Sequence, residues 1–333
     1  MDPLVSLVIP NHNGAATIER CVAAALASRH ARLEVIVVDD GSVDDSLERI
    51  RRLPCRVIAL PRRRGAAAAR NAGARESRGE VLFFTDADCL LQPDAVTRAV
   101  ATLGGAPDLA VGGTYTQVAP EASFFDRFQS VFVNHFETRH APHADYLATH
   151  ALAIASATLR RHGGFAEDGL PILEDVEFSH RLRHGGCRLV MNPAIQARHV
   201  FGYSLARSLR NAYRKARYWT CYSLGAGDLL ADSGTASRPL KFAVGAWYAS
   251  AALLAAGLAV AAPASIVAVA VLQAANAWAN RGLLEAFRRT HGFGFAAVSA
   301  FYYVLVYPVA VGAGALSGAW LYGTQPRNKA TAA

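Results

Sequence analysis

The chain has 333 residues, with 34 Lys and Arg against 26 Asp and Glu, a formal net charge of +8. Apolar residues make up 52% and charged residues 18%, the latter below the roughly 25% usual for soluble chains, so disordered, collagen-like and disulfide-scaffold classes are excluded. The charge is unevenly spread. Phe242 to Asn280 and Gly292 to Pro326 contain no Asp, Glu, Lys or Arg, which points to a membrane-embedded C-terminal part.

The N-terminal third alternates strand and helix signals. Short runs rich in Val, Ile, Leu and Phe predict strands at Leu4–Ile9, Leu33–Val38, Arg56–Leu60 and Val81–Thr85, as expected for strands buried on both faces. Helical patterns fall between them at Ala16–Ala27, Asp44–Arg52 and Gly65–Glu76. This order predicts an α/β fold with a mostly parallel sheet flanked by helices and right-handed crossovers. Ligands on such sheets bind beyond the C-terminal strand ends. Asn11 and Asn13 follow the first strand, Asp39 and Asp40 the second, Asp86 and Asp88 the fourth.

Further along, Leu109–Tyr115 reads as a strand, Phe124–Arg139 as a helix with many aromatics, Leu173–His184 as a helix and Arg188–Met191 as a strand. Leu205–Trp219 is a basic amphipathic helix. Leu205, Leu209, Ala212 and Ala216 share one face, and Arg207, Arg210, Arg214, Lys215 and Arg217 lie off it. Such a helix suits a membrane interface.

Three apolar stretches follow at Phe242–Ala262, Ala264–Asn280 and Phe295–Tyr322, the first long enough for the roughly 20 residues a span requires. Arg238 and Lys241 precede the first, and Arg281, Arg288 and Arg289 follow the second. Positive flanks stay cytoplasmic, so these two form a hairpin. The third sends the C-terminus outward, which Arg327 and Lys329 oppose, leaving two or three spans. The expected division is therefore 1–204, a catalytic α/β domain; 205–241, an interfacial helix and linker; 242–323, transmembrane helices; and 324–333, a tail.

Leu4–Ile9 reads as a core strand rather than a signal segment, so the N-terminal part is expected to fold in the cytoplasm. Cys21, Cys55, Cys89, Cys187 and Cys221 show no CxxC spacing and read as free thiols. The basic clusters lack a nucleic-acid-binding module, so nucleic acid is not an expected partner.

Candidate chemistry sits in five places. Asp86-Ala87-Asp88 closes a buried strand, and two carboxylates there can hold a divalent cation that in turn holds a diphosphate. Asp39-Asp40-Gly41-Ser42 carries more acid than a helix cap needs, so one carboxylate is available to a nucleobase or ribose. Gly65 opens a helix carrying Arg70, Asn71 and Gly73. It fits neither a Walker loop nor a dinucleotide fingerprint, which removes the support for hydride chemistry. Glu174-Asp175 begins a helix with Glu177 and Arg181 beyond, either as favourable N-terminal charge or as a source of a general base. His199 follows the last strand.

Together these motifs resemble the family 2 glycosyltransferases, inverting enzymes of the GT-A fold. The matching runs are Val8-Ile9-Pro10-Asn11-His12-Asn13, Val37-Val38-Asp39-Asp40-Gly41-Ser42, Gly65 with Ala69-Arg70-Asn71-Ala72-Gly73, Thr85-Asp86-Ala87-Asp88, and Glu174-Asp175-Val176-Glu177 with Arg181. The resemblance implies that Pro10, Asn13 and Asp39 line the nucleotide-base pocket and that Arg70 lies near base or phosphate. Asp86 would reach the ribose or the water shell of the metal. Asp88 would ligate Mg²⁺ or Mn²⁺, with His199 near the same ion, and Asp175 would be the catalytic base. Glu174, Glu177 and Arg181 would support the acceptor region. It further implies a nucleotide-sugar donor, a lipid-linked or glycan acceptor and contact with membrane lipids. The location implied is the inner (cytoplasmic) membrane, multi-pass, with the catalytic domain on the cytoplasmic side.

The Q-x-x-R-W motif of polymerising members is missing from Arg214-Lys215-Ala216-Arg217-Tyr218-Trp219, which favours single addition. Ala151-Leu152-Ala153-Ile154-Ala155 lacks the Gly-x-Asn often found before the base helix. Two alternatives stay open: a polyprenyl phosphate as acceptor, and a catalytically silent, membrane-anchored nucleotide-binding or assembly module.

Overall fold

The computed structural model describes residues 2–118, 123–259 and 263–324. It divides into two compact units, Met1–Gly202 and Tyr203–Ala333.

The first unit begins with β1 (Val5–Asn11), α1 (Ile18–Leu26), β2 (Leu33–Asp39), α2 (Ser46–Arg51), β3 (Arg56–Ala59), α3 (Ala66–Glu76) and β4 (Val81–Phe84). It continues with β5 (Cys89–Leu91), α4 (Ala95–Leu103), β6 (Leu109–Tyr115), α5 (Phe124–Thr138), β7 (Leu152–Ala155), α6 (Ser156–Arg161), α7 (Glu174–His184) and β8 (Arg188–His199). The eight strands form one sheet in the order β3-β2-β1-β4-β7-β6-β8-β5. The β3-β2-β1-β4 half is parallel, as the alternation predicts. The other half is mixed: β7 runs antiparallel to β4 and β6, β5 antiparallel to β8, and β6 parallel to β8.

Val8, Ile36, Leu82, Phe84, Phe165 and Phe178 belong to one buried apolar cluster. The Phe165 ring meets Phe84 edge-on at 5.2 Å and lies 4.7 Å from Phe178. The cluster ties the loop before α7 to the central strand β4. Parallel register brings Asn11 beside Asp39, so the polar ends of β1 and β2 are neighbours.

The strand expected to stop at Met191 runs on to His199. Its register with β6 shifts between Gly112 and Thr114, and Pro193 lies in this irregular stretch. A bulge is where a strand tolerates proline, so Asn192-Pro193 interrupts the hydrophobic pattern without ending the strand. β5, β7 and α6 are too short for their periodicity to be read locally.

The second unit contains α8 (Leu205–Ala226), α9 (Arg238–Ala259), α10 (Ala264–Ala279), α11 (Arg281–Phe301), a π-helical turn (Tyr302–Val306) and α12 (Tyr307–Thr324). α8 starts at the Ser204 cap and outruns the expected Trp219, ending where Gly227 adopts φ 72°. Two helical stretches, Arg238–Ala259 and Arg281–Thr324, are long and apolar enough to cross a membrane, and Ala264–Ala279 is shorter. The expected third apolar stretch is interrupted by the π turn. Pro308 follows that turn and has no N–H to continue the helical ladder. The end of the first expected span at Ala262, and the tail with Arg327 and Lys329, lie outside the described residues.

Gly73 marks the closest approach of α3 to the sheet, because a Cβ there would overlap the Val8 side chain. Gly73→Val is expected to lower unfolding free energy by about 1–3 kcal/mol through overpacking. Thermal and denaturant unfolding of the detergent-solubilised chain measure it.

Candidate active site

The site is built on the C-terminal edges of β1, β2 and β4 and on the start of α7. Asp39 organises the turn after β2. Its carboxylate accepts from Asn11 Nδ2 (2.9 Å), Ser42 Oγ (2.6 Å) and the Ser42 N–H (3.0 Å). Asp40 accepts from the Arg64 and Gly65 N–H groups at 2.7 and 2.8 Å, which fixes the loop entering α3. Asn13 sits at φ 53°, a left-handed conformation that Asn tolerates. Its N–H donates to Ser42 Oγ and its side-chain oxygen accepts from the Val43 N–H, 2.9 and 2.8 Å away. Pro10 is partly buried just before Asn11. A Cβ built on Gly14 would stand between Asn11 and Ala87, so the Asn11–Asp39 corner adjoins the Asp86-Ala87-Asp88 turn.

The α3 run Arg70-Asn71-Ala72-Gly73 makes ties to residues far along the chain. Arg70 is 3% exposed and forks between two carboxylates. One terminal nitrogen donates to Asp86 Oδ1 at 2.7 Å and the other to Glu174 Oε1 at 2.6 Å. Burial disfavours its charge, but Asp86 and Glu174 outweigh that and raise its pKa. The fork joins the strand-end acids directly to the helix that carries Asp175. Asn71 clasps Phe165, donating to its carbonyl (2.8 Å) and accepting from its N–H (2.9 Å), and so anchors the loop leading to α7. Leu173, the residue before Glu174, is held at φ 80°. That conformation is strained for a bulky side chain, and such strain concentrates at functional sites.

Burial pushes the Asp86 carboxyl upward, but Arg70 beside it holds it below the usual carboxylate range. Asp88 lacks the benefit of that guanidinium. Burial and the neighbouring Asp86 charge raise it to about 7. His199 Nε2 lies 3.4 Å from Asp88 Oδ2. Its ring stacks on Phe201 at 3.9 Å and meets Tyr115 edge-on at 4.9 Å. Ligand atoms of Asp88, Cys89 and His199 all fall within 4.8 Å of one another. Burial and the two aspartates push the Cys89 thiol well up, so it remains neutral. The Asp88 carboxylate is therefore the donor suited to Mg²⁺ or Mn²⁺, with the His199 imidazole beside it. The convergence of the Asp88 and His199 ligand atoms fits a divalent ion.

Sequence reasoning missed a second buried couple. His150 Nε2 lies 3.5 Å from Glu137 Oε2, and both side chains are nearly inaccessible. Thr114 Oγ1 also donates to Glu137 at 2.7 Å, and Tyr115 stacks on His150 at 4.0 Å. Burial opposes protonation of His150, but Glu137 outweighs it and Asp86 and Asp175 add to the upward shift. His150 thus lies within electrostatic reach of the strand-end acids and of Asp175. No local spacing marks this pair, since Glu137 lies in an aromatic helix and His150 in a single turn of 3₁₀ helix.

Asp86, Asp88, Glu174, Asp175 and Arg70 accordingly share one region with His150 and His199. Arg181 and Glu177 stand apart from the Arg70 fork. They pair with each other at 2.8 Å, and Arg181 holds the His162 and Gly164 carbonyls, which makes them anchors of the loop between α6 and α7.

Residues 6–162, just under half of the chain, match the glycosyl transferase family 2 domain, so the chain carries a domain of that family. It is 32% identical over 140 residues to the glycosyltransferase AglE of Haloferax volcanii, covering 39% of this chain and 46% of that protein. It is 39% identical over 101 residues to the succinoglycan biosynthesis protein ExoO of Rhizobium meliloti, covering 29% of each. The chain thus spans less than half the length of either relative. A mannosyltransferase from Pyrobaculum calidifontis, solved in complex with GDP-Man and Mn²⁺, superposes with a TM-score of 0.59 at 19% identity over 96% of this chain and 88% of that one. The fold is therefore GT-A.

Two outcomes are expected. Arg70→Met leaves two carboxylates facing each other. Because Asp86 is partly exposed, the loss of stability is about 2–3 kcal/mol, short of the full penalty for a broken buried pair, as read by unfolding midpoints against Glu174→Gln. A cation at this cluster would need an ionised Asp88 and an unprotonated His199 nitrogen. Mn²⁺ affinity, measured by calorimetry, should therefore fall at least tenfold per pH unit below the Asp88 pKa of about 7 and level off above it. In Asp88→Asn the affinity should be weak and lack this rise.

Proposed function

We propose that the chain is a membrane-bound inverting glycosyltransferase. It moves a sugar from a nucleotide-sugar donor to a lipid-linked acceptor in single additions. The observation that carries this reading is the Arg70 fork, which couples the strand-end acids to the helix bearing Asp175. Two further facts support it: the family assignment, and a structural neighbour solved with a nucleotide sugar and Mn²⁺.

In this reading Pro10, Asn13 and the Asn11–Asp39 corner seat the base, and Asp86 faces the ribose. Asp88 and His199 hold the divalent cation. When bound, such an ion supplies positive charge against the diphosphate that departs. Asp175 accepts the proton of an acceptor hydroxyl as its oxygen bonds to the anomeric carbon. The bond from that carbon to the diphosphate oxygen breaks on the opposite face, and the configuration inverts. Glu137 favours the protonated form of His150, within electrostatic reach of Asp86 and Asp175. Leu173 fixes the direction in which the base helix starts.

The apolar second unit supports a lipid-bound acceptor and a multi-pass position in the cytoplasmic membrane, with the catalytic unit on the cytoplasmic side. The exposed arginines Arg207, Arg210 and Arg214 of α8 favour a second reading, a polyprenyl phosphate as acceptor. That acceptor is already ionised and needs little help from a base.

Asp175→Asn separates the two. With a hydroxyl acceptor, turnover falls by about 10²–10⁴ while donor binding persists. With a phosphate acceptor, turnover is largely retained and the extracted product is acid-labile. Asp88→Ala lowers turnover in both. Release of nucleoside diphosphate by membranes carrying the chain is the assay. An absence of release across UDP-, GDP- and dTDP-sugars and both acceptor types, with nucleotide still bound, would support the silent-module alternative.

A further inference from the structure

We propose that α12 is not a membrane span. It lies in the plane of the membrane interface beneath α8, and the two helices form one layer that fits an anionic phospholipid surface. This rests on the membrane-bound reading above and goes beyond it, because by length and composition α12 belongs to a stretch able to cross.

α12 cannot cross without α8. The two run side by side in the same direction. Gly314 lies against Tyr213, Gly318 against Arg217, and Tyr322 against Gly225. At Gly314 and Gly318 a Cβ would overlap the Tyr213 and Arg217 carbonyls, so the helix backbones themselves are in contact. Small residues four apart allow this approach. Beside this line of contact α8 exposes Arg207, Arg210, Arg214 and Lys215. Charged side chains exposed to hydrocarbon are costly, and a crossing α8 would carry all four into it.

The π turn that leads into α12 and the far end of α12 both return to the basic end of α9. At the near end, the Tyr303 hydroxyl donates to Asn280 Oδ1 at 2.8 Å, and Asn280 Nδ2 donates to the Pro239 carbonyl at 3.5 Å. At the far end, Tyr322 faces Gly225, close to the point where α8 stops. The chain then folds back, with the Ala231 N–H on the Asp228 carbonyl at 2.7 Å. The Leu230 and Ala231 carbonyls accept from Arg238 Nε (3.3 Å) and Lys241 Nζ (2.5 Å). A helix with both ends at one level lies flat. Its middle meets α9 at Tyr248, whose ring faces Gly312 and whose hydroxyl donates to the Val309 carbonyl at 3.3 Å.

The layer has the chemistry of an interface. Leu316 and Trp320 of α12 are 70% and 68% exposed and suit acyl chains. The cations of α8 suit lipid phosphates. The spans are then α9 and α10, paired through Gln273 Nε2 on Ser250 Oγ at 2.8 Å. The described end of α12, Thr324, then stays on the same side as Arg238 and Lys241, in keeping with the positive-inside rule.

The test uses the full chain in sealed vesicles, with an N-terminal tag to mark the catalytic side. A second tag follows Ala333, and a separate Thr235→Cys variant is probed with an impermeant maleimide, its labelling read as the excess over the parent chain, whose native thiols include the half-buried Cys55. The expected result is that the chain resists a carbonate wash and that both probes react on the side of the N-terminal tag. A protected C-terminal tag shows that α12 crosses, and protection of the thiol introduced by Thr235→Cys shows that α8 crosses; either overturns the proposal. Release of the chain by carbonate overturns the membrane-bound reading and the layer together. The C-terminal tag sits on the wild-type sequence, so a folding defect in the cysteine variant leaves that arm decisive.

Discussion

Arg70 holds the site together. Its guanidinium is buried in α3 and reaches Asp86 at the end of β4 with one nitrogen and Glu174 at the start of α7 with the other. A planar fork suits two carboxylates in a way that a lysine ammonium does not. The residues it joins lie 16 and 104 positions away in the chain, so this one side chain converts two distant motifs into one constellation. Asn71 and Gly73, close by on the same helix, fix the loop before α7 and the distance to β1. The motif on α3 is thus read better as a set of tertiary ties than as a phosphate-binding loop.

Charge follows from that arrangement. Arg70 pairs with both Asp86 and Glu174, and His150 lies beside Glu137. Asp88 is left with His199 nearby and with its carboxyl raised to about 7. Of the two strand-end acids, it is Asp86 that Arg70 pairs with. The same pairing keeps Asp86 ionised. Two aspartates one residue apart thus behave differently, one held by a guanidinium and the other available to a cation.

Much of this was legible in the sequence because it is encoded locally. Buried strands such as Val81–Phe84 end in acids, and the βα alternation dictates which edge those acids share. The mixed half of the sheet was less legible. β5 and β7 are short, and Pro193 sits in a bulge that interrupts the pattern of β8. Arg70 was recognisable as important, but its partners are long-range carboxylates that no spacing rule reveals. The Glu137–His150 couple has no local signal, because its meaning lies in stacking on Tyr115 and in the fields of Asp86 and Asp175. In the second unit, hydropathy reports how apolar α12 is. Its pairing with a basic helix emerges only from the glycine contacts.

The central claim is that Asp88, Asp86 and Asp175 face one reacting centre that Arg70 holds in place. Anomalous diffraction from crystals of the chain grown with Mn²⁺ and a nucleotide sugar tests this most directly. The account predicts an ion peak bridging the Asp88 carboxylate and the diphosphate, with His199 beside it. It also predicts Arg70 still forked between Asp86 and Glu174, and the Asp175 carboxylate on the face of the anomeric carbon opposite the diphosphate. An ion bound away from Asp88, or a sugar carbon out of reach of Asp175, would contradict it.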